Sequence, residues 1–202
     1  MWLNVKLREE AYKLFRLYGR RLTEKGYAAG HGGNMSIRAG SKIYITRHGC
    51  TLEDIKPEDV IEVSLHEVTS FDAISSTETV VHREVYLQTQ NLAVMHAHSP
   101  YAIAISFFTE KMKPIDAEAS HILREVPIVE GRAGSEQLAK KVAAALKEHH
   151  AVIVRGHGTF TAAQTLEQAY RLICMVERSA QQIYLTEILK RLGFEFIKPK
   201  EI

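Results

Sequence analysis

A chain of 202 residues is long enough to bury most of its apolar surface without disulfide or metal staples, and it reads as one domain over 1–202. Hydrophobic residues at 46% and charged residues at 25% are ordinary globular usage, which excludes a disordered, collagen-like or coiled-coil chain. A net charge of +2, with no Lys/Arg block interleaved with aromatics, lacks the electrostatic footprint of a nucleic-acid binder.

The first segment, 5–26, places Val5, Leu7, Ala11, Leu14, Phe15, Leu17, Tyr18 and Leu22 near helical spacing, and Gly26 suits the helix end. It is charged and amphipathic, unlike a signal peptide, and no run approaches the roughly 18 apolar residues of a membrane span. Cys50 and Cys174 form no CxxC pair, which favours free thiols in a reducing compartment. A cytoplasmic protein is expected.

A glycine-rich loop, Gly30 to Ser36, leads into a hairpin of Met35–Arg38 and Lys42–Thr46 joined through Ala39, Gly40 and Ser41. IEVSL at 61–65 alternates like a strand, and TETVVHREVYLQT from Thr77 reads as a helix capped by Ser75 or Ser76. AVMHAH returns as a strand, and PYAIAISFF reads as a helix with Pro100 in its first turn. The stretch 109–134 has no clear period and is expected to be an active-site loop. Ser135 caps a helix, AVIVRGHG is a buried strand, and Thr165 opens one long last helix. Strands and helices are interspersed without a regular βαβ period, so the expected class is α/β, a central sheet covered by helices.

Successive even positions of a strand share a face, so His96 and His98 stand side by side. His157, in a GHG turn at the end of a strand, would sit at a sheet edge where it can join them as a third ligand. A lone core histidine is most simply a satisfied polar group. Three imidazoles with an open fourth position instead make a catalytic metal site, although the spacing does not choose a reaction. Glu78, in a first helical turn, can be a dipole-favoured cap or a carboxylate facing a cleft. The glycines of GHGGNMS, the Asn34 amide and the turn Thr46–Gly49 can let backbone N–H groups approach an anion, although glycine loops are usually only turns.

Taken in order, GGNMSIR, YITRHG, SSTETVVH, AVMHAHS and IVRGHG resemble the class II aldolase/adducin family, in its L-fuculose-1-phosphate aldolase branch. The resemblance implies a three-layer fold with a mostly antiparallel sheet, and a cyclic homotetramer with sites at subunit interfaces. It implies one zinc per subunit on His96, His98 and His157, a Lewis acid for the enediolate formed when a ketose 1-phosphate breaks at C3–C4. Glu78 matches the family's acid/base, moving the proton on the dihydroxyacetone-phosphate carbon with a pKa tuned toward neutrality by desolvation. Gly33, Asn34, Gly49, Ser76 and Thr77 match its phosphate pocket, with a helix N-terminus at Ser76.

Two departures stand out. His48, preceded by Arg47, stands where relatives have a small hydroxyl residue before the turn glycine, which fits an added phosphate contact or a different anionic group. The family's tyrosine acid is missing from KPIDAEASH, and nothing after Tyr184 supplies another, so Asp116, Glu118 and His121 are the candidate replacements. The same scaffold is similar to methylthioribulose-1-phosphate dehydratase, ribulose-5-phosphate 4-epimerase and an aromatic hydroxy-acid decarboxylase. It is also similar to the non-enzymatic adducin head, against which the retained histidines and Glu78 argue. His66, His149 and His150 read as solvated surface, and His82, four residues after Glu78, as a residue that orients it.

Overall fold

The computed structural model describes residues 2–30 and 32–197, with side chains from residue 6; His31, within the glycine loop, lies outside the described residues. The sheet has eight strands in the order β3-β2-β1-β4-β8-β7-β6-β5. They are β1 Asn34–Ala39, β2 Lys42–Thr46, β3 Val60–Ser64, β4 Ala93–Ala97, β5 Lys111–Met112, β6 Val126–Val129, β7 Ala151–Val154 and β8 Gly158–Ala163. Among the described residues, only the β6–β7 pair is parallel. The helices are α1 Trp2–Glu24, α2 Thr79–Gln88, α3 Pro100–Ser106, α4 Ala117–Ile122, α5 Glu136–Glu148 and α6 Leu166–Arg191.

Alternation along the strands divides the core in two. Ala93, Met95 and Ala97 of β4 and Ile153 of β7 pack with Phe15 and Leu22 of α1 and Ile173 and Val176 of α6. Val94 and Val152 point to the other face, against Val81 and Val85 of α2 and Leu138 and Val142 of α5. The result is a three-layer α/β domain in which β4 and β7 are buried on both sides, so their sequences read as apolar runs.

Local rules explain most element ends. Gly26 takes φ 74° just past α1, and the Tyr27 N–H bonds back to Leu22 O at 2.9 Å, closing the helix. Ser135 Oγ accepts the Leu138 N–H at 3.2 Å, and Thr165 and Gln168 cap α6 reciprocally. None of the described helices is long and apolar enough to cross a membrane.

Three expectations are corrected. Helix α2 starts at Thr79 with Glu78 in the N-cap position, because Ser75 Oγ is already engaged by Asp72 O and the Thr79 hydroxyl. The stretch 109–134 holds β5, α4 and β6, elements too short to show a period. The strand AVIVRGHG stops at Val154, and the turn Arg155–His157 reverses the chain into β8, all of which is buried. His157 therefore lies at the end of two interior strands, not at a sheet edge.

Candidate active site

Register places Asn34 of β1, His96 of β4 and Phe160 of β8 in one row across three adjacent strands. The His96 ring stacks on Phe160, with centroids 4.2 Å apart and planes at 20°. Gly158 permits this packing, since a Cβ there would sit 2.4 Å from Ala97 O and 2.8 Å from the His96 ring. His98 follows just past the strand, its N–H held by Tyr27 O at 2.8 Å. Arg155 holds the turn that carries His157: its guanidinium pairs with Glu110 at 2.9 Å and with Glu130, and donates to Thr109 O at 3.2 Å.

These elements bring the three imidazoles together, with ring centroids 4.6 to 5.2 Å apart. One ring nitrogen from each lies within 4.8 Å of the others. His96 Nδ1 donates to Thr159 O at 3.1 Å, which leaves the Nε2 lone pair facing the cluster. Desolvation, with repulsion from its two partners, holds His96 well below the usual histidine value; burial lowers His98 and His157 too. All three are then neutral near pH 7, the state that ligates a metal.

Glu78 approaches from the start of α2. Its Oε2 lies 3.6 Å from His96 Nε2 and its Oε1 4.0 Å from His157 Nδ1. These four buried atoms have no hydrogen-bond partner, an expensive arrangement that a cation between them would relieve, so the donor set fits a metal ion. Burial pushes the Glu78 carboxyl up to about 7, offset in part by the nearby Asn34 amide and Gly134 N–H.

A cavity of about 450 Å³ opens onto this cluster, lined also by Gly33, Asn34, Gly49, Ser76 and Thr77. Arg47 and His48 stand exposed at its rim. Gly33 adopts φ 83°, and a Cβ there would meet His96 O at 2.9 Å, so only glycine carries the backbone this close to the histidines. The segments around Thr46 and Ser76 are tied together, with the Ser76 N–H donating to Thr46 O and the His48 N–H to Ile74 O, both at 3.0 Å. The expected helix N-terminus at Ser76 is not there, since α2 begins three residues later.

The sequence profile of the Class II Aldolase and Adducin N-terminal domain matches residues 14–184. The chain belongs to the class II aldolase/adducin family. It is similar to an L-fuculose phosphate aldolase of Methanococcus maripaludis, with 31% identity over 85% of this chain and 94% of the relative. Likewise similar is a 5-deoxy-D-ribulose 1-phosphate aldolase of Bacillus thuringiensis, 29% identical over 91% of this chain and 87% of the relative. The crystal structure of L-fuculose-1-phosphate aldolase from Thermus thermophilus superposes with a TM-score of 0.87 at 35% identity, covering 92% of this chain and 98% of that one. Family and relatives together make this chain a class II aldolase, a lyase.

In this class II aldolase, Asp116, Glu118 and His121 do not join the histidine cavity of their own chain. All three lie at or on α4, where Asp116 is the N-cap: its carboxylate accepts the Ala119 N–H at 3.0 Å and the Ser179 hydroxyl at 3.0 Å. Asp116→Ala is therefore expected to cost about 1–2 kcal/mol of stability, a cap's usual worth, with kcat unchanged; urea denaturation beside steady-state assays checks it. Cys50 and Ala133 line the cavity and Gly134 lies beside Glu78, none of them singled out from sequence. Cys50 carried one available signal, its place directly after Gly49.

Proposed function

We propose that this aldolase cleaves a ketose 1-phosphate of the L-fuculose 1-phosphate type to dihydroxyacetone phosphate and an aldehyde, using one zinc ion per subunit. The observation that carries the reading is the unpartnered Glu78 carboxylate, 3.6 Å from His96 Nε2, at the floor of a cavity whose wall is built of small neutral donors. Zinc on His96, His98 and His157 would supply Lewis acidity for the negative charge that develops on the substrate oxygens.

The chain's own groups divide the remaining work. Glu78, with a carboxyl near neutrality, is suited both to give a proton to the carbon freed by C3–C4 cleavage and to remove it in the condensation direction. Gly33, Asn34, Gly49, Ser76 and Thr77 would hold the phosphate through backbone and side-chain donors, and Arg47 and His48 at the rim would add positive charge. The names of the three relatives described above, each an aldolase of a sugar phosphate, support the substrate class. A cytoplasmic homotetramer with sites at subunit interfaces completes the proposal.

Zinc content of the purified chain, measured beside dihydroxyacetone-phosphate release from a panel of ketose 1-phosphates, tests it. About one zinc per chain and release from at least one sugar are expected. Zinc without release would favour the dehydratase or epimerase chemistry of the same scaffold.

A further inference from the structure

We infer that a buried hydrogen-bond chain, Tyr86–Ser36–His82–Asn34, holds the Asn34 side chain with its amide N–H₂ toward the cavity, making His82 a positioning residue for the anion-binding half of the site. The inference deepens the phosphate assignment above and rests on it.

Two periodicities create the chain. Asn34 and Ser36 share one face of β1 at spacing two, and His82 and Tyr86 share one face of α2 at spacing four. His82 is wholly buried, with Nε2 2.7 Å from Asn34 Oδ1 and Nδ1 2.6 Å from Ser36 Oγ. Ser36 Oγ lies 2.7 Å from the Tyr86 hydroxyl. Phe160 packs against His82 edge to face at 6.1 Å, fixing the ring.

The direction of every bond follows from one member. An amide oxygen only accepts, so Nε2 carries the ring proton. Desolvation pushes the His82 pKa down to about 3, so the ring is neutral, and Nδ1 accepts from Ser36. Ser36 Oγ then accepts from Tyr86. Turning the Asn34 amide over would reverse all three bonds and aim Oδ1 at the Glu78 carboxylate and at any bound anion. In this direction His82 ties down Asn34 Oδ1 and leaves the N–H₂ toward the cavity without touching the substrate itself.

Selective ¹⁵N labelling of histidine in the zinc-loaded chain reads the first step. A His82 ring protonated at Nε2 and bare at Nδ1 is expected, and the opposite tautomer overturns the inference. The second step compares His82→Gln, which keeps a donor near Nε2, with His82→Asn, which keeps only a group near Nδ1.

His82→Asn is expected to raise KM and the inhibition constant of inorganic phosphate about tenfold, a larger effect than its effect on kcat, with zinc content nearly unchanged, while His82→Gln stays close to wild type. If the two variants move together, or neither moves, His82 is only a core residue and the inference falls. Inorganic phosphate failing to inhibit the wild-type enzyme would count against the phosphate assignment separately. In that case the Asn34 side-chain ¹⁵N signal still decides: kept in His82→Gln and displaced in His82→Asn supports the chain, and unmoved in both overturns it.

Discussion

His96→Ala and His157→Ala are both expected to strip the metal and to reduce cleavage by about a thousandfold or more, since a Lewis acid contributes several kcal/mol to the barrier and each 1.4 kcal/mol is a factor of ten. The two variants should part in stability. His96 is 1% exposed and stacked on Phe160, so truncating it opens a hole in the core and costs about 2–4 kcal/mol even in metal-free protein. His157 is partly exposed on a turn that Arg155 holds independently, so its truncation should barely move the metal-free midpoint. Elemental analysis of zinc, with thermal denaturation in EDTA, checks both halves. Full zinc and full cleavage in His157→Ala would remove the triad as the metal site.

How far this site could be read in advance depended on whether its residues sit on regular elements. His96 and His98 were legible because strand alternation, carried one residue past the end of β4, keeps them on one side, and His157 because a GHG turn follows an apolar run. The turn's destination was hidden. Strand β8 is buried on both faces, so GTFTAA shows no alternation, and its glycine and two threonines break the apolar run expected of such a strand; Thr161 satisfies its hydroxyl on Ala169 O at 2.9 Å, a partner in α6. The same limit applies to α2: both serines before Glu78 look like caps, but the backbone pairing of 74–76 with 46–48 holds this segment outside the helix, and Ser75 engages its hydroxyl with Asp72 O and Thr79. Asp116 had the reverse problem. A carboxylate in an unassigned loop looks free for chemistry until the short helix that it caps is seen.

Glu78→Gln is expected to keep zinc, lose turnover by roughly 10²–10⁴, and make the metal-free protein more stable at alkaline pH. The sign follows from the direction of the shift. The folded carboxyl titrates near 7, against an ordinary value of 4.5, so the folded state holds this proton more tightly than the unfolded state does. Stability therefore falls as pH rises from about 4.5 to about 7, by about 3 kcal/mol once the buried carboxylate is fully charged. Glutamine has nearly the same shape and no charge to bury, so the variant escapes this loss. The three depressed histidines act in the opposite direction, destabilising the fold at acid pH, but both proteins carry them and the difference cancels their contribution. Urea denaturation in EDTA should show the variant ahead of wild type by about 1–3 kcal/mol at pH 8 and level with it near pH 4.5, below the window in which the folded carboxylate ionises. With zinc bound, the cation offsets the carboxylate charge and the gap should narrow. Coincident curves at pH 8 would mean that Glu78 is not held uncharged by its surroundings, and the acid/base role would lose its physical basis.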